Sequence, residues 1–474
     1  MMKFGLLTAI LDGWTFEEAV DIASEMGFKC LEVACWPAGK AERRYAGVSH
    51  IDCERVCEDD KYTAYVKNLV ASKGIEISSL AFYPNVMDAN KEKANAAIDH
   101  LKAVIQASGK LGVGMVTTFI GKDQYKTFEE NIELFKEIWP PIIALAEQCG
   151  VIMKTLKIGI VGGGGMGRVH YANWKAVEGA EVVALCGNAA AAEDWGVPAY
   201  KTIEDMVQNE EIDVVDICTP TFLHHNQVLE ALNLGKDVIC EKPIALNYAD
   251  AKEMLDTAED RGRNLYIAQV LQFTKEIQAL HALVESEEYG KVLDASFERL
   301  SAAPRWAAGG WLFDKNKSGL LPFDLHIHDL DVIVSLFGKP QGFAVQTCKG
   351  RDKNYAEHLR INYDYGDKHV NGEAAWFNAD SPWTARWRVY FENALVVNDG
   401  TTMTAYAFDA PPRVFDTKDE VEISTGINVP PCGWYYNELK HFAECIREGK
   451  PTPNVTREQL LTVMEILEEV SQWT

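Results

Sequence analysis

Over residues 1–154 the apolar positions alternate between short continuous runs and helical spacing. Phe4–Leu11 is an apolar run and reads as a strand. Phe16, Ala19, Ile22, Ala23 and Met26 then recur at helical spacing up to Gly27, and Cys30–Cys35 forms the next run. The alternation continues with a helix around Tyr62–Lys73, a strand at Ile75–Phe82, a helix at Lys91–Ser108, a strand at Gly114–Ile120 and a helix at Phe128–Gln148. Four βα units result, and Val151-Ile-Met153 begins a fifth strand. Strands separated by helices, without hairpin signals, predict a parallel sheet.

A second such series spans 155–275. Lys157–Val161, Glu181–Cys186, Ile212–Cys218 and Asp237–Cys240 are buried-strand candidates, with a helix around Gln227–Leu234. This is the βαβ order of a Rossmann dinucleotide-binding sheet. From 276 the texture changes. Val292–Leu300, Gly342–Cys348, Glu357–Tyr365, Val370–Asn378 and Arg386–Val397 read as successive strands. In Glu357–Tyr365 the residues Leu359, Ile361, Tyr363 and Tyr365 share one face, while His358, Arg360, Asn362 and Asp364 share the other. Turns at Tyr365-Gly-Asp-Lys368 and Asn398-Asp-Gly400 predict an open antiparallel sheet, and helices at Tyr435–Glu448 and Arg457–Ser471 close the chain.

Composition narrows the class. A chain of 474 residues with 47% hydrophobic and 24% charged positions is expected to form two or three globular domains. A net charge of −24 repels nucleic acid and anionic membranes, so neither is expected as a partner. The first apolar run ends at Asp12 without a small-residue cleavage site, and no run approaches membrane-spanning length. Eleven cysteines, an odd number without a pairing pattern, suit a reducing cytoplasm. Cys53 and Cys57 have no second Cys/His pair beside them to complete a zinc site.

The most informative stretch is Ile158-Gly-Ile-Val-Gly-Gly-Gly-Gly-Met-Gly167, a strand running into G-x-G-x-x-G and a helix. Here Gly162 permits a tight turn, Gly164 allows close backbone approach, and Gly167 allows helix to pack on strand, with Gly165 and Met166 in the helix's first turn. A dinucleotide pyrophosphate would rest on that helix N-terminus. Three signatures follow in order: Thr219-Pro220-Thr-Phe-Leu-His224, Cys240-Glu241-Lys242-Pro243, and Asp324-Leu-His-Ile-His328-Asp-Leu-Asp331. With Gly162–His170 and the closing Tyr436-Asn-Glu-Leu-Lys-His441-Phe segment, they make residues 155–474 resemble the glucose–fructose oxidoreductase and inositol dehydrogenase family (Gfo/Idh/MocA). In the first part, the strand Leu31-Glu-Val-Ala-Cys-Trp36, Gly47-Val-Ser-His-Ile51 and Ser79-Leu-Ala-Phe-Tyr-Pro84 resemble the xylose-isomerase-like TIM-barrel family. That resemblance stops where the fifth strand should bring a metal-binding glutamate. It implies half a barrel without a metal site, with His50 and His100 structural or exposed.

The expected organisation is therefore α/β in three parts: a half TIM-barrel-like (βα)4 segment over 1–154, a Rossmann domain over 155–275, and an α+β domain with an open antiparallel sheet over 276–474. The last part would carry substrate and oligomer contacts.

Lys242 lies just past a buried strand, fixed by Pro243, where an ammonium can stabilise a developing alkoxide. The Gfo/Idh/MocA resemblance assigns it that role and places Glu241 near the nicotinamide. Asp324 and His328, four apart, share a helix face, and Asp331 follows three further on. Read alone, Asp324 is an N-cap after Pro322 and His328 a polar helix residue. The resemblance makes Asp324 the residue that orients substrate and base, and His328 is the candidate general base because its pKa lies near neutrality. His326, where a glycine is common in that motif, reads as packing or pocket rim.

Thr219, Pro220 and His224 complete the cofactor-lining set. The second strand ends in Gly187-Asn188, without the acidic residue that grips a ribose or an arginine for a 2′-phosphate. NAD(H) is thereby favoured slightly over NADP(H), with Asn188 as the ribose-side residue. Arg305, Trp306 and Trp311, in a Gly-rich stretch before the helix, are candidates for covering a sugar face or for filling core. The expected activity is nicotinamide-dependent oxidation or reduction at a secondary alcohol of a sugar, glycoside or inositol, by a homo-oligomer and without a metal. Rivals are a bifunctional isomerase, epimerase or lyase joined to a dehydrogenase, and a non-catalytic cofactor-binding regulator.

Overall fold

Strands β1 (Gly5–Leu7), β2 (Cys30–Ala34), β3 (Glu76–Ala81) and β4 (Val116–Thr117) pair in parallel, in chain order, as the sheet of the first unit. The computed structural model describes residues 4–37, 47–151, 155–424 and 431–474. The chain divides into two units, Met1–Lys154 and Thr155–Thr474. In the first, helix Phe16–Glu25 starts at a Thr15/Glu18 capping box and buries Phe16, Ala19, Val20 and Ala23, a single helical face. Helix Phe128–Gln148 starts the same way at Thr127 and Glu130. One side of the sheet presents Leu31, Val33, Leu80 and Phe82 to a core that includes Val66, Leu101 and Val104.

Two strands are shorter than their apolar runs. After β1 the chain turns into a 3-10 segment at Thr8–Ile10, and the Thr8 hydroxyl oxygen accepts from the Ala34 N–H at 2.9 Å, taking the place of a ladder bond. The Gly114–Ile120 run keeps only Val116–Thr117 as strand. A short helix at Cys53–Glu58, capped by Asp52, was not read from the sequence. The strand start at Val151–Met153 lies, beyond Val151, outside the described residues. His50 is buried, and His100 Nε2 lies 2.9 Å from the Cys35 carbonyl oxygen.

In the second unit β5 (Leu156–Val161), β6 (Ala180–Cys186), β7 (Ala199–Tyr200), β8 (Val214–Ile217), β9 (Asp237–Glu241) and β10 (Leu265–Ala268) form a parallel sheet ordered β10-β9-β8-β5-β6-β7. The chain leaves β5 toward β6 on one side and returns to β8 on the other. The carboxyl ends of β5 and β8 thus flank the switch point where ligands bind in such sheets.

The remaining strands are β11 (Val292–Ala302), β12 (Gly342–Cys348), β13 (His358–Asp364), β14 (His369–Phe377), β15 (Thr384–Phe391), β16 (Ala394–Asn398), β17 (Met403–Ala407) and β18 (Arg413–Val414). Their order is β12-β13-β14-β11-β15-β16-β17-β18. This sheet is mixed, not antiparallel throughout, because β11 pairs with β14 in parallel. Hairpins impose antiparallel pairing, but the long connection after β11 carries a helix and frees β14 to align with it. The Arg386–Val397 run is also two strands, turning at Glu392-Asn393, where the inward positions shift from Trp387, Val389 and Phe391 to Ala394 and Val396. One apolar core joins both sheets and the closing helices Trp434–Glu448 and Arg457–Val470. Among the described residues no helix is long and apolar enough to cross a membrane.

Candidate active site

After β5 the chain turns at Gly162, with φ +99° and a would-be Cβ 2.9 Å from the Cys218 carbonyl oxygen. Gly167 is tighter still, since its Cβ would lie 1.9 Å from the Gly162 carbonyl oxygen. Gly164 differs: among the described residues a Cβ there meets nothing within 4 Å. It caps helix Gly165–Trp174 without any side-chain hydrogen bond to the first-turn N–H groups, next to Gly165 and Met166. Open space beside uncapped helix amides fits a pyrophosphate.

The loops after β8 and β9 face this turn's strand. Thr219 Oγ1 donates to Gln227 at 2.5 Å, and Pro220 leads into the 3-10 turn Thr221–Leu223. His224 is only 1% exposed, and its ring nitrogens lie 2.8 Å from the Thr219 and Pro243 carbonyl oxygens. It therefore ties the two loops together. Burial pushes its pKa down. Asn188 is likewise engaged, accepting from the Ala190 and Ala191 N–H groups as the cap of helix Ala189–Trp195.

Lys242, just beyond β9, reaches the helix that follows β11. Its Nζ donates to the Asp324 main-chain oxygen at 2.7 Å and stands 3.5 Å from the Asp324 carboxylate. Asp324 sits in a π turn, Pro322–His326, in which the Ile327 N–H donates to the Pro322 carbonyl five residues back. That turn runs into helix Ile327–Phe337, which carries His328. Gly319 and Leu320 before it are both left-handed, with φ +73° and +64°. Leucine is strained there, and it is held by burial and by its N–H bond to Ser318 Oγ at 2.9 Å.

His328 is half-buried, and its Nδ1 has no partner among the described residues. Burial first, then the charges of Lys242 and Arg299, hold its pKa well below 6.5. A ring that stays neutral beside an ammonium can accept a hydroxyl proton while the ammonium stabilises the oxygen. Asp331 lies deeper, accepting from Gln272 and Gln459 at 2.6 and 2.8 Å, and burial pushes its pKa up to about 7. His326 is fully buried as packing, its Nε2 2.6 Å from the Tyr363 hydroxyl.

Two buried groups went unread in the sequence. Arg299, on β11, grips Asp329 through Nε and Nη2 at 3.1 and 2.8 Å. Its signal was available: Ala295, Phe297 and Arg299 occupy successive inward positions of the strand. The second group surrounds His170, whose Nδ1 lies 2.9 Å from Asp216 and whose Nε2 lies 3.0 Å from Glu241. Both ring nitrogens face carboxylates, so both carry protons; burial opposes that charge, but Asp216 and Cys218 outweigh it and raise the pKa well above 6.5. Glu241 also accepts from the Lys242 N–H at 3.0 Å, which links this network to Lys242. Glu438 is fully buried, both its oxygens lack partners among the described residues, and burial followed by the Glu241 charge raises its pKa well above the usual carboxylate range. An aspartate inside the apolar run Val214–Ile217 was the available sign of this network.

No described contact brings Arg305, Trp306 or Trp311 to Lys242, Asp324 and His328. Arg305 donates to Asn378 at 3.3 Å, Trp306 is exposed, and Trp311 packs against the core.

Residues 156–269 match the model of an oxidoreductase family with an NAD-binding Rossmann fold. Residues 277–397 match the GFO/IDH/MocA C-terminal domain, and residues 20–160 a xylose isomerase-like TIM barrel. A D-apiose dehydrogenase from Paraburkholderia graminis is 26% identical over 338 residues, covering 66% of this chain and 86% of that protein. A 2,7-anhydro-N-acetylneuraminate hydratase from Mediterraneibacter gnavus is 31% identical over 189 residues, 39% of this chain and 50% of that protein. The chain thus spans about half the length of some curated relatives it matches. Among solved structures, a levoglucosan dehydrogenase in complex with NADH and levoglucosan has a TM-score of 0.58 at 19% identity, covering 67% of this chain and 96% of that one. An oxidoreductase from Agrobacterium radiobacter, in complex with NAD+, L-tartaric acid and magnesium, gives 0.59 at 18% identity over 67% of this chain and 97% of that one. At such identity these two likenesses concern the fold.

Proposed function

We propose that this chain, in which residues 156–269 and 277–397 match the two Gfo/Idh/MocA domains, is a nicotinamide-dependent oxidoreductase. Its substrate would be a secondary alcohol, or the corresponding ketone, of a sugar, glycoside or cyclitol. The supporting observation is the meeting of Lys242 with Asp324, beside a His328 held neutral. Similar proteins named as D-apiose and levoglucosan dehydrogenases support a carbohydrate substrate class.

The nicotinamide, when bound, supplies or takes up the hydride. In the oxidative direction His328 takes the hydroxyl proton, and in the reductive direction it returns it. Lys242 donates a hydrogen bond to the substrate oxygen and favours its negative charge as that charge develops. Asp324 holds the ammonium in place through its main-chain oxygen and leaves its carboxylate to orient the substrate. The turn from Gly162 to Gly167 carries the pyrophosphate, with Thr219, Pro220 and Glu241 lining the site. NAD(H) is favoured slightly over NADP(H), because Arg168, four residues past Gly164, is already paired with Asp194 at 3.4 Å. Trp306 is free to cover a sugar face, and Arg305 and Trp311 border it in the chain.

Lys242→Ala and His328→Ala are each expected to lower turnover on an established substrate by a factor on the order of 10² or more. NADH binding should survive His328→Ala. Wild-type turnover in both variants would refute the assignment.

A further inference from the structure

Among the described residues the sheet of the first unit ends at β1 and β4 with no strand beyond either, and its three pairings are all parallel. At the β4 edge the Leu80 N–H donates to the Met115 carbonyl at 3.1 Å and the Phe82 N–H to the Thr117 carbonyl at 2.9 Å. Val116, between those acceptors, therefore turns its own N–H and carbonyl away from β3. Exposed apolar side chains flank both edges: Phe4, Ile10 and Trp14 about β1, and Met115, Phe119 and Ile120 about β4. Phe119 and Ile120 are 61% and 58% exposed beside the last strand of the sheet, where a partner strand would cover them.

The two faces of the sheet also differ. Leu31, Val33, Leu80 and Phe82 meet the helices. Glu32, on the alternate face of β2, instead accepts from the Tyr83 hydroxyl and, at 3.2 Å, from the Thr117 hydroxyl. Parallel sheets have both faces covered, and a sheet with helices on one face only achieves this by closing into a barrel. Closure takes eight strands, and the described residues of this unit form four. A β4 edge needs a parallel β1-type edge beside it, and the same unit of another copy supplies one.

We propose that the first unit pairs with its counterpart in a second copy of this chain, β4 of each beside β1 of the other, closing an eight-stranded parallel barrel about a two-fold axis. Each interface is then used twice, as a closed dimer requires. Phe119, Ile120 and Phe4 become buried at the two seams. This inference stands apart from the proposed activity, because none of these residues belongs to the second unit.

The test compares the full chain with Val116→Pro and with the double variant Phe119→Asp/Ile120→Asp, by light scattering. Proline at 116 spares the bonds to β3, and the double variant alters exposed side chains, so both should fold. The parent is expected at an even multiple of the chain mass, and both variants at half the parent's mass with NADH binding unchanged. Hydrogen exchange on the parent gives a reading that needs no variant: the Val116 amide should be strongly protected. A monomeric parent, folded variants that keep the parent mass, or a freely exchanging Val116 amide would each overturn the proposal.

Discussion

Substituting two glycines of one turn is expected to give opposite results. Gly164→Val enters open space, so the protein should fold normally and lose NADH binding, because the side chain fills the room needed by a pyrophosphate. Gly167→Ala drives a Cβ against the Gly162 carbonyl and should destabilise the fold by about 1–3 kcal/mol or more. Thermal unfolding and NADH fluorescence titration distinguish the two, and a Gly164→Val protein that binds NADH like the parent would show that the turn carries no pyrophosphate. His326 gives a pH signature. Burial lowers its pKa to about 3 from 6.5, so the folded state refuses a proton the unfolded chain accepts. Its contribution is complete above pH 6.5 and is lost as pH falls toward 3, on the order of 4 kcal/mol by that point. His326→Gln should flatten the fall of Tm with acid, and an unchanged slope would contradict the burial argument. The glycine turn and the proposed residues Lys242, Asp324 and His328 stand out in the sequence because each belongs to a short local pattern. Arg299–Asp329 and the Asp216–His170–Glu241 bridge could not be assembled that way, since their partners come from separate elements.

The element that positions Asp324 and His328 is the π turn with its helix, and it rests on β14 through one close contact. A Cβ on Gly372 would stand 2.6 Å from His326 Cε1. The absence of a side chain on Gly372 makes room for the His326 ring. Gly372→Ala should cost about 1–3 kcal/mol and lower turnover by displacing the helix. The stability cost should shrink in a His326→Ala background, and additive costs in that double-mutant cycle would mean the two residues do not share the space. Periodicity located many strands and helices but missed β7, β10, β17 and β18 and the helices Ala189–Trp195, Ile203–Asn209, Tyr248–Asp260 and Lys275–Ser286, and it misplaced several ends. The apolar run that became β1 stops early because Thr8 bonds across to Ala34, a contact outside any local window. β15 and β16 read as one run because only Glu392-Asn393 separate their apolar positions, although the inward set shifts there from odd to even numbers. The parallel β11–β14 pair was hidden for another reason: strand patterns carry no direction.

Among the described residues the second unit holds one apolar core, and the first holds a large one with a small cluster of Ala9, Ala34 and Val48 apart from it. Residues proposed for hydride transfer, from Gly162 to His328, all lie in the second unit, where the change near 276 from strand–helix alternation to successive strands was legible because it altered the hydrophobic period. How the first unit's sheet edges are covered was not legible, because an edge's partner leaves no mark on the local pattern. The central claim is that residues 155–474 perform hydride transfer by themselves. The direct measurement is absorbance of the reduced nicotinamide when the full chain and residues 155–474 are given sugars, glycosides and inositols with NAD or NADP. The expected result is that both proteins turn over the same substrate at similar rates. Cofactor binding without hydride transfer to any of them, or activity lost whenever residues 1–154 are removed from a folded protein, would contradict it.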